Sequence, residues 1–82
     1  MRFERVEVST GRDDSGRLTP ETFIMREVPL SVTEIIDQWR EGGSPGRPEI
    51  DYFKVAVHDG RQFILRHARI FDAWGAFELK GS

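Results

Sequence analysis

The side chains best suited to catalysis in this 82-residue chain are its two histidines, His58 and His67. His58 precedes Asp59 in a predicted turn, and His67 ends the strand that follows. At ~3.3 Å per residue the two rings are expected to lie more than ~20 Å apart, too far to share a metal ion. A Ser–His–Asp triad would also need an activated serine, and no G-x-S-x-G sequence is present. We therefore interpret both histidines as solvated turn and strand-end residues, and we predict that neither is catalytic.

No motif indicates metal or cofactor chemistry. The chain contains no cysteine, which excludes disulfides, thiolate nucleophiles and cysteine-ligated clusters. The acidic run Asp13-Asp14-Ser15 could bind a hard cation, but the twelfth position counted from Asp13 is Ile24, where an EF-hand loop has glutamate. We interpret this run as turn-forming. Phosphate-binding loops, dinucleotide fingerprints and zinc-protease motifs are also missing from the sequence. We expect a protein that is not an enzyme and uses neither cofactor nor metal.

Cationic side chains and the single tyrosine cluster in the second half of the chain. Residues 1–41 carry a net charge of -3 and residues 42–82 a net charge of +1, with three arginines and no acid between Gly60 and Ile70. Small barrels bind single-stranded nucleic acids with aromatic and guanidinium groups on a curved β surface. Alternating charges on a strand also serve simply to keep its exposed face soluble. The candidate residues for binding nucleic acid or another partner are Tyr52, Lys54, Arg61, Arg66 and Arg69.

The elements that must position these residues are clearest between Asp51 and His67, where two apolar segments flank a turn. A two-residue turn would mix polar and apolar side chains on one face of the hairpin. A three-residue loop, His58–Gly60 with Gly60 in the left-handed conformation, keeps one face apolar and places Tyr52 opposite Arg66. A one-residue slip would turn the core face outward, so we predict the three-residue loop.

Other segments also indicate strands. Turn-forming residues at 11–16 separate two apolar stretches, which predicts strand, turn and strand. Glycine and proline at 42–48 predict a surface loop. Residues 76–79 alternate as a closing strand would, with Gly75 at a bend or bulge before it. Trp39 and Trp74 could cap a ligand pocket, but we interpret them as core residues whose indole N–H groups bond backbone carbonyls.

Residues 31–41 carry the signals of a helix. Ser31 and Glu34 form a capping box at the start, and Gly42 is a suitable residue after the end. Four apolar residues recur at the spacing of one helix face, namely Val32, Ile35, Ile36 and Trp39. From these signals alone the segment is a helix of about three turns.

A longer pattern bears on the same segment. It consists, in order, of VTEIIDQW at 32–39, DYFKV at 51–55, DGR at 59–61, LRH at 65–67 and a late Trp74. This order resembles a family of short, uncharacterised bacterial proteins, some of which are encoded near error-prone DNA polymerases. The resemblance covers about residues 23–79 and implies that the segment at 31–39 is a strand of a small β-barrel. This chain departs from the family in having Glu27-Val28-Pro29 where a Gly-Arg turn is common, and in lacking tryptophan at 42–48.

The sequence as a whole predicts one domain, residues 1–82, of mainly β structure. We expect a small barrel or strongly curved antiparallel sheet of about five strands, with residues 31–41 as either a short helix or a further strand. No apolar run is long enough for a signal peptide or a membrane span, so the expected location is the cytoplasm. The net charge of -2 differs from that of a strongly basic nucleic-acid binder. The expected function is a non-catalytic binding module with a protein partner, and the alternative is a nucleic-acid accessory domain that uses the hairpin face.

Overall fold

Six antiparallel strands follow one another around a closed barrel in the computed structural model, which describes residues 2–80. The strands are β1 (Glu4–Arg12), β2 (Leu18–Met25), β3 (Val28–Glu41), β4 (Ile50–Val57), β5 (Gln62–Ala68) and β6 (Ala73–Leu79), with a short 3-10 helix (Arg69–Phe71) between the last two. Each strand pairs with its neighbours in sequence, and β6 pairs with β1 to close the barrel. The predicted mainly β barrel is confirmed, with six strands where about five were expected. Within residues 2–80, no helix is long and apolar enough to cross a membrane.

Alternating side chains from the strands fill the barrel. Phe23 of β2 and Phe63 of β5 are fully buried and meet edge to face, with ring centroids 5.1 Å apart. Trp74 packs against Phe53 in the same cluster, so its predicted place in the core is confirmed. An edge-to-face aromatic pair adds to the free energy of burial, so the contact between Phe23 and Phe63 stabilises this small core beyond its apolar area. The cluster comprises Val6, Phe23, Leu30, Phe53, Val55, Val57, Phe63, Leu65, Trp74 and Ala76.

Residues 31–41 belong to β3, and the short helix considered for them is not observed. Two β-bulges in this strand explain why its apolar residues have the spacing of a helix face. The register with β4 shifts between Val32 and Glu34 and again between Ile35 and Asp37, so β3 contains two extra residues. Val32 and Ile35 both pack against the core although they are three positions apart. A doubly bulged strand therefore reproduces the spacing of a helix face, while its β-branched side chains favour the strand.

The bulges also separate β3 from β2. These two strands pair only near the turn that joins them, from Met25 opposite Val28 to Thr22 opposite Ser31. Further along, β2 continues beside β1 alone and β3 continues beside β4 alone. Because bulges bend a strand and increase its twist, the two strands diverge. A cleft opens where they part.

The β4–β5 hairpin has the predicted register. Tyr52 lies opposite Arg66. The Val57 amide donates to the Arg61 carbonyl at 3.0 Å, and the Gly60 amide donates to the Val57 carbonyl at 2.9 Å. Gly60 has a φ of 90°, in the left-handed region that glycine tolerates. The three-residue loop is therefore confirmed.

The turn between β2 and β3 contains two non-glycine residues in the left-handed region. Arg26 has a φ of 51° and Glu27 a φ of 69°. A two-residue hairpin turn of this type normally takes asparagine or glycine, because other side chains are strained there. The Arg26 guanidinium forms an ion pair with the Glu4 carboxylate of β1, which ties the turn to the neighbouring strand.

Two glycines are required by close approach of other parts of the chain. Gly42, with a φ of 83°, turns the chain out of β3 into the predicted loop, and a Cβ there would collide with the Pro48 carbonyl oxygen. Gly75 lies inside β6 with no register shift, so the bulge considered there is not observed. A Cβ at Gly75 would lie 3.0 Å from the Cβ of Phe3, which crosses the outside of the strand.

Candidate functional site

Two aromatic rings stack in parallel on the outer side of the barrel. Trp39 of β3 lies opposite Tyr52 of β4 in the sheet register. Their ring centroids are 5.3 Å apart and their planes differ by 6°. Trp39 is 38% exposed, so the prediction that it is a core residue is wrong. The cross-strand position explains the stack, because directly opposed residues on one face of a sheet bring their side chains together.

The cleft between β2 and β3 begins beside this stack and has a volume of about 630 Å³. The end of the β1–β2 hairpin forms one wall, with Arg12, Arg17 and Leu18. The other wall is formed by β3 and β4, including Trp39 and Tyr52. Two side chains of the barrel interior, Phe53 and His67, also line it. The divergence of β2 and β3 thus places arginines from a turn opposite an aromatic platform.

The turn that carries Arg17 is ordered by Asp13. The Asp13 carboxylate accepts hydrogen bonds from the Ser15 hydroxyl at 2.6 Å, the Ser15 amide at 2.9 Å and the Arg17 amide at 3.0 Å. These bonds, with that from the Ser15 side chain as the largest cause, lower the pKa of Asp13 below its ordinary value. The acidic run therefore forms the turn, as predicted, and fixes one wall of the cleft.

The four arginines that line the cleft differ in their partners. Arg40 donates to Asp51 at 2.8 Å, a bond that raises the pKa of this guanidinium. Arg69 donates to Glu49 at 3.1 Å. Arg12 donates to the Gly16 carbonyl at 2.8 Å, and among residues 2–80 neither Arg12 nor Arg17 forms an ion pair. The hairpin wall therefore carries two guanidinium groups that form no ion pair with a carboxylate of the described chain, although Asp13 and Asp14 lie in the same turn.

A row of directly opposed residues continues from the stack around the barrel. Trp39 pairs with Tyr52, Tyr52 with Arg66, Arg66 with Gly75, and Gly75 with Arg5. We refer to these five residues, on β3, β4, β5, β6 and β1, as the cross-strand row. At ~4.8 Å between neighbouring strands, the row extends ~19 Å around the surface.

Phe3 lies over the row at Gly75 and extends its aromatic character. Its ring centroid is 6.4 Å from that of Tyr52 and 6.0 Å from that of Phe77. The Arg66 guanidinium lies 5.7 Å from the Phe3 ring centroid, a cation–π distance. Aromatic rings from four strands or their ends thus form a continuous surface, and Arg66 packs against it.

The structure brings together three of the five predicted binding residues. Tyr52 and Arg66 belong to the cross-strand row, and Lys54 lies two residues from Tyr52 on the same outward face of β4. Arg61 lies at the other end of the hairpin, where it forms ion pairs with Asp59 and Glu78. Arg61 therefore lies apart from Tyr52, Lys54 and Arg66.

Arg69 also lies apart from the hairpin face. It begins the 3-10 helix, where its guanidinium contacts Glu49 and Asp51 within the cleft. Arg69 lies beyond the hairpin face, because β5 ends at Ala68 and the chain turns away there. It belongs instead to the cleft that the hairpin face borders.

The two histidines have structural partners. His67 is 6% exposed, stacks on Trp74 with centroids 4.1 Å apart, and has its Nε2 2.9 Å from the Asp72 carboxylate. The prediction that His67 is solvated is therefore wrong. His58 is exposed in its loop, and its Nδ1 accepts a hydrogen bond from the Ser31 amide at 3.2 Å.

Sequence reasoning missed three residues of this site, namely Trp39, Arg12 and Arg17. Trp39 was assigned to the core because its spacing fitted a helix, and the bulges that move it outward have no sequence signature. Arg12 and Arg17 flank a turn far from Tyr52 in sequence, and only closure of the barrel brings them near. No family model matches this chain, and no match was found among curated proteins or solved structures. Its geometry is therefore the ground for a functional proposal.

Proposed function

We propose that this protein is a non-catalytic binding module whose ligand is a single-stranded nucleic acid. The observation that carries the proposal is the parallel stack of Trp39 on Tyr52 beside a cleft lined by Arg12 and Arg17. Proteins that bind single strands combine aromatic rings, on which bases stack, with cationic grooves that follow the phosphates. Both parts are present here within one site.

The aromatic platform favours a single strand over a duplex. Base faces are covered by neighbouring bases in a duplex, whereas an unpaired base can stack on a protein ring. Trp39 covers one side of the Tyr52 ring. The exposed part of the Trp39 indole is therefore the surface on which a base would stack. A ring held by its neighbour loses little conformational freedom on binding, which favours affinity.

The arginines predict a measurable salt dependence. The whole chain has a net charge of -2, so attraction to phosphate depends on local rather than overall charge. For single strands, each neutralised phosphate contributes about -0.7 to the slope of log K against log salt concentration. Contacts from Arg12 and Arg17 alone therefore predict that affinity falls ~7-fold between ~50 and ~200 mM salt.

The test is fluorescence anisotropy with labelled single-stranded DNA, RNA and duplex DNA at these two salt concentrations. We expect wild-type protein to bind single strands with micromolar affinity and more tightly than the duplex. Trp39→Ala should weaken single-strand binding ~5- to ~160-fold, corresponding to ~1–3 kcal/mol of lost stacking. Trp39→Phe should retain most of the affinity, and Ile24→Ala, which removes an exposed apolar side chain outside the site, should have no effect.

Absence of wild-type binding at ~50 mM salt would refute the proposal, because electrostatic attraction is strongest there. Binding that survives Trp39→Ala unchanged would also refute it, since the stack is the observation on which it stands. Equal affinity for duplex and single strand would argue for a purely electrostatic surface.

A protein partner is the second candidate, and one observation favours it. Ile70 and Phe71 of the 3-10 helix are each 73% exposed, the highest values among the exposed large apolar residues of the described chain. An adjacent exposed pair of this kind is typical of a protein contact. Affinity capture with wild-type protein and with Phe71→Ser tests this candidate. A protein retained by the wild type and lost with the variant would support it, and identical recovery would contradict it.

A further inference from the structure

A shallow notch lies at the far end of the cross-strand row from Trp39. It has a volume of about 210 Å³ and is lined by Phe3, Arg5, Arg66 and Gly75, among others. The register explains its shape. Arg5 of β1 and Arg66 of β5 lie on either side of Gly75 of β6, so two long cationic side chains flank a position with no side chain.

The positive charge of the notch is not paired with carboxylates of the described chain. None of the residues that line it is acidic. Among residues 2–80, neither Arg5 nor Arg66 forms an ion pair with a carboxylate. By contrast, Arg61 lies on the same hairpin as Arg66, and its guanidinium forms an ion pair with Asp59 at 2.8 Å.

Arg66 is held in place and lacks a hydrogen-bond acceptor. Its guanidinium packs against the ring of Phe3, and its Nε is buried with no hydrogen-bond partner in the described chain. A buried donor without an acceptor is unfavourable, and a charged donor more so. A planar guanidinium matches the oxygen pairs of a phosphate, and Arg66 lines the notch, so an oxyanion there would accept hydrogen bonds from its terminal nitrogens.

We propose that Arg5 and Arg66 form a phosphate subsite across Gly75, which takes a backbone phosphate of the strand whose base stacks on Trp39. This assignment rests on the proposed function for the identity of the ligand. The bound strand then follows the cross-strand row, perpendicular to the β-strands. At the 3.4 Å rise of stacked nucleotides, a path of ~19 Å holds five or six nucleotides, and an extended strand needs fewer.

The subsite predicts how affinity depends on length and salt. An oligothymidylate of two nucleotides reaches only the Trp39–Tyr52 stack, whereas one of six also reaches the notch. With Arg5 and Arg66 added to Arg12 and Arg17, the affinity for the six-nucleotide probe should fall ~50-fold between ~50 and ~200 mM salt. The double variant Arg5→Gln, Arg66→Gln should reduce that dependence to ~7-fold.

The control is Arg61→Gln, which removes one positive charge on the same hairpin as Arg66 but outside the row. The affinity of this variant should depend on oligonucleotide length and on salt concentration as that of wild type does. Trp39→Ala should weaken binding of both probes, whereas the double arginine variant should weaken only the longer one. If the double variant binds the six-nucleotide probe as wild type does, with an unchanged salt slope, the subsite is refuted while the proposed function stands.

A second measurement separates the subsite from the nucleic-acid proposal. Pyrophosphate is titrated into the protein while the backbone amide resonances of Gly75 and Arg66 are followed by NMR. We expect saturable shifts at both amides in wild type, Trp39→Ala and Arg61→Gln, and their loss in the double arginine variant. These shifts would support the subsite even if no oligonucleotide bound. Their absence in wild type, or their persistence in the double variant, would overturn it.

Discussion

The stack of Trp39 on Tyr52 should be energetically coupled in the free protein, and a double-mutant cycle on stability measures that coupling. Leucine replaces each ring in turn and then both, so that the barrel surface stays apolar. Parallel stacked rings contribute ~0.5–1.5 kcal/mol beyond the free energy of burial. Because Trp39 is 38% exposed, we expect the lower half of that range, ~0.5–1 kcal/mol.

This coupling is large enough to measure by thermal unfolding. An entropy of unfolding of ~2.1 cal/mol/K per residue gives ~170 cal/mol/K for 82 residues, so ~0.5–1 kcal/mol corresponds to ~3–6 °C in Tm. The summed losses of the two single variants should exceed the loss of the double variant by that amount. Far-UV circular dichroism is the appropriate signal, since the variants alter the tryptophan fluorescence.

A control cycle pairs Trp39→Leu with Val28→Ala at the opposite end of β3. These two residues share no contact partner in the cross-strand row, and their effects should add to within ~0.3–0.5 kcal/mol. A coupling of less than ~0.3 kcal/mol between Trp39 and Tyr52 would show that the rings are not held together in solution. The aromatic platform would then not be organised before it binds a ligand.

Three further perturbations follow from the turns. Glu27→Gly should relieve the strain of the left-handed conformation and raise the free energy of unfolding by ~1 kcal/mol, which corresponds to a Tm ~6 °C higher. An unchanged Tm would show that this position is not strained. Gly42→Ala should lower the free energy of unfolding more than Gly46→Ala. Both glycines have a positive φ, but only at Gly42 would the added Cβ collide with the Pro48 carbonyl. Equal losses of stability in urea unfolding would contradict this. Asp13→Ala should be destabilising near neutral pH. The folded pKa of Asp13 is lowered, so its stabilisation is present above the unfolded pKa of about 3.9 and is lost as the pH falls through the folded value. A difference from wild type that does not shrink on acidification below that unfolded pKa would contradict it.

Local signals predicted the hairpins well. The register of Tyr52 opposite Arg66 followed from keeping one face apolar, and the loop His58–Gly60 followed from the position of one glycine. Both depend on residues close together in sequence. The acidic turn at Asp13 was predictable for the same reason, since its hydrogen bonds are made within five residues.

The candidate site could be predicted only in part. The alternation of inward and outward side chains along a strand is interrupted at a bulge. Two bulges in β3 therefore give its apolar residues the spacing of a helix face. The resemblance to a known family implied a strand there, which residue spacing alone did not. Placement of Arg12 opposite Trp39 depends on contacts between β1–β2 and β3–β4, which no local rule supplies. Burial of His67 likewise depends on Trp74 of a different strand.

Closure of the barrel has a consequence for folding. β1 and β6 join through only three residue pairs, and Glu4 and Ala76 lie ~70 residues apart in sequence. Such distant contacts carry the largest loop-closure entropy, so this junction should form last and open first. Amide hydrogen exchange at Arg5 and Gly75 should then report a subglobal opening below the free energy of global unfolding. An oxyanion held jointly by Arg5 and Arg66 would link β1 to β5 across that junction and slow this exchange, so the ligand would act as a removable crosslink of the barrel.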